Sequence, residues 1–380
     1  MSAAAETSRA TADEPDRLEG FSTPREVDRV VGHGRAAAEL EDALGSGRLH
    51  HAWLLVGPEG IGKATLAYAF ARRVLGQSKA AEGNAVFRKV AALSHPNLLL
   101  LRRSWNEKSK RYSQVIGIDE VRRLRSFLGN SAGERGFRVV IVDRADELNP
   151  NAANALLKTL EEPPPQTLFL LVAGAEGRLP VTIRSRTRIL RLSPLGPEEL
   201  GEAVRAALVR DGHEVDEGVL QTALSLSEGS VRRALELATG EGIALHSEIV
   251  AMLRTLPDLD GARLHRLVER LGGAGDAERL ELFLSLLLGL IERLVRASAI
   301  GEELGPEELD PEGLGPAGLP PEEQALAARL LGSNNRSQWA EAWEEIGRAK
   351  SEAALLNLDR SLLVLETVFR LQQLVREHPL

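Results

Sequence analysis

Apolar positions along this chain follow two different periods. From residue 53 to residue 192, short apolar runs alternate with segments of helical spacing. The runs are WLLVG (53–57), NLLLL (97–101), FRVVIV (137–142), TLFLLVA (167–173) and RILRL (188–192), and each has strand length. After the first run, Leu66, Ala69, Phe70 and Val74 recur at helical spacing, and Gly76 closes that helix. Asn149-Pro150 opens another helix, with Ala153, Leu156, Leu157 and Leu160 on one face and Pro163-Pro164-Pro165 ending it. Mostly uninterrupted strands separated by helices predict a largely parallel sheet covered on both faces.

Beyond residue 193 the strand-length runs stop. Pro197 suits the first position of a helix running to about Arg210. Shorter helices are predicted over 216–226 and 229–239, making a small all-helical unit. From about 255 onward the pattern is helical again. Trp339, Trp343 and Ile346, then Leu355, Leu358, Leu362, Leu365 and Phe369, form long apolar stripes. Such stripes suit packing within the subunit or against neighbouring chains.

The first 23 residues (MSAAAETSRATADEPDRLEGFST) are small, polar and acidic. They lack the apolar stretch of a signal peptide and read as a disordered tail. LFLSLLLGLI (282–291) is the strongest apolar run, but a membrane span needs about 20 such residues. It reads as a buried helix, and a soluble, cytoplasmic protein without membrane contact is expected. The Gly/Pro-rich segment 301–321 reads as an acidic surface loop.

Composition narrows the picture. A chain of 380 residues allows two or three domains. The absence of cysteine excludes disulfides, Cys-ligated zinc, iron–sulfur clusters and a thiol nucleophile. A net charge of −8 argues against a surface given over to nucleic acid. Only 7 of the 47 basic residues are lysine, so no single arginine is informative by type alone.

The first strand runs into GPEGIGKAT (57–65) and then a helix, the context of a phosphate-binding loop. Gly57, Gly60 and Gly62 let backbone amides face an anion, and Lys63 with the helix N-terminus supplies positive charge. The full pattern places Ser or Thr directly after the lysine to hold Mg²⁺. Here that residue is Ala64, with Thr65 one step further round the helix. The third strand ends in Asp143, where a metal-orienting acid belongs, but the following residue is Arg144 rather than a water-polarising glutamate. The fourth strand ends in Ala173-Gly174, which has no side-chain donor for a γ-phosphate. Three blank positions in one site predict a nucleotide site that does not hydrolyse. Thr182-Ile183-Arg184-Ser185-Arg186-Thr187 precedes the last strand, so Arg186 can project toward a phosphate on another subunit. A solvated arginine is the plainer alternative. GSVRRAL (229–235) opens a helix from which Arg232 can fold back toward the phosphate loop.

These segments resemble the AAA+ subunits of the bacterial DNA polymerase III clamp loader, nearest the delta-prime type. The resemblance rests on VVGHGRAAAELEDALGSGRLHHAWLLVGPEGIGKATLA (30–67), VVIVDRADELNPNAANALLKTLEEPP (139–164), LPVTIRSRT (179–187) and EGSVRRAL (228–235). It covers roughly the first 240 residues, with NLDRSLLVLE (357–366) a weaker match beyond. It implies an α/β AAA+ domain with a parallel five-stranded sheet and P-loop over 24–193, an all-α lid over 194–250 and an all-α collar over 251–380. It implies a hetero-pentamer of this chain with gamma/tau-like motor and delta-like subunits, acting on a sliding clamp and primed DNA. On this resemblance Arg186 matches the arginine finger, within Ser185-Arg186-Thr187 where the family has Ser-Arg-Cys. Arg232 matches the second sensor arginine, Lys63 the phosphate-loop lysine and Asp143 the metal-orienting acid. Gly57, Gly60, Gly62 and Thr65 complete a degenerate nucleotide site.

The family often carries a four-cysteine zinc module at the place of residues 76–96. Here the segment has no cysteine and only His95, so no zinc or other metal is expected. Nucleotide binding is left open: Lys63 and the glycines favour weak ATP or ADP binding, and the missing Mg²⁺ ligand opposes it. The leading expectation is a stator that lends Arg186 to a neighbouring ATPase during clamp loading. The alternatives are an active AAA+ motor subunit and a DNA-binding AAA+ protein, the latter poorly served by the acidic segment 302–313.

Overall fold

A computed structural model describes residues 14–378 except 16, 78–82, 108–110, 130–135, 274–276, 304–318, 333 and 357–358. The chain divides into two compact units, Met1–Thr239 and Gly240–Leu380.

In the first unit, five strands follow the five apolar runs: β1 (Ala52–Val56), β2 (Leu98–Leu101), β3 (Arg138–Val142), β4 (Thr167–Ala173) and β5 (Arg188–Arg191). They form one parallel sheet in the order β2-β3-β4-β1-β5. Trp53 pairs with Leu170 on one side of β1 and with Arg188 on the other. Because β4 lies between β1 and β3, the carboxyl ends of those three strands stand side by side. That edge is where an open α/β sheet binds ligands.

Both sheet faces are buried, which explains why the strands read as continuous apolar runs rather than alternating ones. Alternate side chains still go to opposite faces. Trp53, Leu55, Val139, Ile141, Leu168 and Leu170 pack with helices α1 (Gly34–Gly45), α2 (Lys63–Leu75) and α3 (Gly83–Ala91). Leu54, Val56, Val140, Val142, Phe169 and Leu171 pack with α4 (Ile118–Gly129) and α5 (Pro150–Glu161). The Asn149 side chain accepts from the Ala152 amide and caps α5, and Pro150 occupies its first turn. A four-residue helix, α6 (Val181–Arg184), leads into β5.

Three helices complete the unit: α7 (Pro197–Asp211), α8 (Glu217–Leu226) and α9 (Val231–Thr239). Gly212 ends α7 with φ +76°, and the Asp216 carboxylate caps α8. The segment expected to be a tail up to residue 23 is ordered from Arg17 onward, which corrects that expectation; residues 1–13 lie outside the described residues. Phe21 is the cause. Its ring is buried and stacks on His213 at 4.3 Å, and the His213 Nε2–H donates to the Gly20 carbonyl at 2.9 Å. Glu14 pairs with Arg102 at 2.8 Å. One aromatic ring and a buried carboxylate outweigh the polar character of the surrounding residues. A two-residue hairpin pair, Trp105–Asn106 with Arg111–Tyr112, was not expected from the pattern.

The second unit is all-helical: α10 (Gly242–Thr255), α11 (Gly261–Gly272), α12 (Ala277–Glu303), α13 (Pro321–Leu330), α14 (Arg336–Leu356) and α15 (Arg360–Glu377). Within it α10 packs against α12 and α13. The run Leu282–Ile291 lies inside α12, with Phe283, Leu287, Leu290 and Ile291 fully buried. No helix among the described residues is long and apolar enough to cross a membrane. The expected stripes divide: Trp339 and Ile346 are core, whereas Leu362 and Phe369 are half exposed. Leu358 and most of the loop expected over 301–321 lie outside the described residues.

Candidate functional site

The loop from Gly57 to Lys63 leaves β1 at the sheet edge. Its carbonyls are all satisfied internally. Lys63 Nζ donates to Gly57 O at 2.7 Å and to Pro58 O. Ser230 Oγ donates to Glu59 O at 3.0 Å, and the Arg232 amide donates to Gly60 O at 3.2 Å. His33 Nε2–H donates to Ile61 O at 2.7 Å, and the Leu66 amide donates to Gly62 O within α2. The helical segment over 197–239 therefore closes directly on the loop. Gly60 shows how tightly: φ is +76°, and a Cβ there would lie 2.6 Å from Arg232 Cβ and would also strike Ser230 Oγ.

Lys63 is buried, and burial lowers its pKa against the opposing pull of Glu59 and Asp146. Asp143, directly after β3, also raises the Lys63 pKa, so its charge is felt at the loop. Arg144 adopts the left-handed conformation (φ +56°) and forms ion pairs with Glu59 of the loop and with Glu147, the latter at 3.0 Å. At the end of β4 the Gly174 amide donates to Asp146 Oδ2 at 3.1 Å, so a backbone contact replaces a polar side chain. Arg232 turns to Glu236, one helical turn on, with Nε 2.7 Å from the carboxylate. Burial raises the Glu236 pKa, and Arg232 partly opposes this. Thr65 is half-buried in the first turn of α2.

The glycine turn, the α2 N-terminus and Lys63 suit a phosphate anion. Ala64 offers no oxygen to a metal, Arg144 is a cation where a base is needed, and Asp146 is tied to the Gly174 amide. Among the described residues, no three carboxylate or imidazole groups gather as a metal-binding set. His95 is buried with Nδ1 accepting from the Asn97 amide at 3.1 Å, a turn contact.

Arg186 follows α6 and lies outside this cluster of contacts. Its Nη1 donates to the Thr182 carbonyl at 3.0 Å and to Ser185 Oγ at 3.3 Å. Its Nη2 lies 2.7 Å from Glu161 at the end of α5. The structure thus gathers Gly57, Gly60, Gly62, Lys63, Asp143 and Arg232 at one edge. The sequence reading missed Glu59, Ser230, His33, Glu236 and Glu161. Glu236 carried a signal, standing four residues after Arg232 on a helix; the others are contacts made across the fold.

Comparison with known proteins gives this arrangement a family. A family model described as DNA polymerase III, delta subunit, matches residues 32–196. The delta' subunit of DNA polymerase III from Yersinia pestis is 33% identical over 251 residues, covering 65% of this chain and 72% of that one. The chain belongs to the DNA polymerase III clamp-loader AAA+ family. The delta' subunit of Pseudomonas aeruginosa is 38% identical over 210 residues, covering 54% of this chain and 60% of that one. The tau subunit of Escherichia coli is 29% identical over 307 residues, covering 74% of this chain and 45% of that one. The chain thus spans about half the length of the tau relative and 60% of the Pseudomonas one. As a clamp-loader subunit it has the parallel α/β AAA+ sheet followed by helical units.

Proposed function

We propose that this chain is the delta-prime-type subunit of its clamp loader, a stator that does not hydrolyse ATP. In this reading residues 194–239 are the lid and 240–380 the collar that joins gamma/tau-like motor and delta-like subunits in a cytoplasmic hetero-pentamer; the boundary expected at 250 would cut α10 (Gly242–Thr255). The complex loads a sliding clamp onto primed DNA, and Arg186 completes the ATP site of an adjacent motor. The observation that carries the reading is the contrast within one unit. The phosphate loop lacks a metal ligand at Ala64 and is bridged by the Arg144–Glu59 pair, whereas Arg186 stands on a separate surface turn. Bound nucleotide in this chain is weak at most, held by Lys63 and the loop amides without a metal.

The test is a loader reconstituted with its motor and delta-type subunits. Arg186→Ala should lower ATP turnover by a large factor, since an arginine finger is worth ~10³–10⁵ in rate. Lys63→Ala should leave it unchanged. The opposite pattern supports the second reading, an active motor, which the similarity to the tau subunit of Escherichia coli favours.

A further inference from the structure

We propose that Glu161 is the positioning residue for Arg186, setting the direction in which its guanidinium leaves the subunit. This rests on the trans-acting reading of Arg186 above.

Three groups converge on one side chain. The Thr182 carbonyl and Ser185 hydroxyl hold Nη1 from the residue's own turn. Glu161 holds Nη2 from a different element, the last residue of α5. Neighbouring arginines have carboxylates of their own. Arg188 pairs with Glu39 at 2.7 Å, and Arg191 pairs with Glu176 at 2.7 Å, with Arg184 near the same Glu176. Among the described residues, Glu161 pairs with Arg186 while these neighbouring arginines pair with other carboxylates. The Arg186 side chain remains about one-third exposed, so being held does not remove it from the surface.

The placement of α5 gives the contact a wider meaning. The helix starts at the Asn149 cap, two residues after Glu147, which pairs with Arg144 beside the phosphate loop. It ends at Glu161. Its 12 residues make a rod about 18 Å long between the loop edge and Arg186. A long arginine side chain loses much rotamer freedom when it engages a phosphate. A carboxylate on a rigid rod orders it beforehand, so less is lost on engagement. Glu161 touches no reacting atom; it acts through Arg186.

The test is a double-mutant cycle in the reconstituted loader, reading kcat and KM for ATP. Glu161→Gln should lower kcat by about five- to twentyfold with KM nearly unchanged, and Glu161→Asp should recover part of the loss. Glu161→Gln combined with Arg186→Ala should be no slower than Arg186→Ala alone. If Arg186→Ala itself has no effect, the trans-acting reading fails and this inference fails with it. If Arg186→Ala slows the loader but Glu161→Gln does not, or the two losses multiply, this inference alone is overturned. A thermal melt of each full-length variant separates a folding defect from a positioning one.

Discussion

Arg144 and Glu59 form an ion pair that ties the residue after the third strand to the middle of the phosphate loop. Glu59 is mostly exposed, so the pair works largely in solvent. Its coupling energy should be under about 1 kcal/mol and should shrink in high salt. Denaturant unfolding of Arg144→Ala, Glu59→Gln and the double variant measures it. A coupling of several kcal/mol would mean that the pair is far less solvated than its exposure indicates.

The loop itself leads to a second prediction. Ala64→Thr restores an oxygen where a metal ligand belongs, and should tighten Mg-ATP binding by on the order of tenfold, about 1.4 kcal/mol. EDTA should abolish that gain. Adding Arg144→Glu should still give only slow turnover, because Ala173-Gly174 brings no polar side chain to the γ-phosphate. Calorimetric titration and an ATPase assay of the isolated chain check both halves. Tight Mg-ATP binding by the unaltered chain would contradict the reading of Ala64.

The sheet was legible because each strand is buried on both faces and so stands as an unbroken apolar run. The loop was legible because glycine spacing and Lys63 are local features. Contacts across the fold were not. Nothing near Glu59 in sequence announces Arg144, 85 residues away, or Ser230, 171 residues away. Phe21 looked like an isolated aromatic in a polar tail until His213 supplied its partner. Leu362 and Phe369 fit a core stripe by period, yet both face outward. Periodicity identifies an apolar face without saying whether it is covered.

Gly60 and Gly62 provide a matched pair. Both have positive φ, +76° and +103°, so alanine is strained at either. Only at Gly60 does the new Cβ also collide with Ser230 and Arg232; at Gly62 its nearest neighbour is 3.8 Å away. Gly62→Ala should therefore cost about 1 kcal/mol, and Gly60→Ala about 2–3 kcal/mol. Gly60→Ala should also speed amide exchange at Arg232, whose N–H bonds to Gly60 O. Equal destabilisation by the two substitutions would show that the helical segment does not press on the loop.

In the second unit, Glu323 is fully buried between Arg293 and His246. Arg293 donates to both carboxylate oxygens, at 3.0 and 2.8 Å, and His246 Nε2 lies 2.9 Å from Oε1. Burial alone would push the Glu323 carboxyl up, but the hydrogen bonds from His246 and Arg293 outweigh it, and its pKa is lowered from 4.5. The sign of the pH effect follows. The carboxylate's contribution to stability is complete above about pH 4.5 and is lost as pH falls through the lower folded value. Glu323→Ala removes the carboxylate that takes two hydrogen bonds from the buried Arg293 and should cost roughly 3 kcal/mol. Glu323→Gln keeps the shape and one acceptor and should cost less. The acid dependence should shrink in both variants by the share Glu323 contributes, with Glu26 and Asp211, whose pKa values are also lowered, keeping the remainder. Melting temperatures of the full chain between pH 3 and pH 7 test this, and an unchanged acid limb in Glu323→Gln would assign the pH sensitivity to another group.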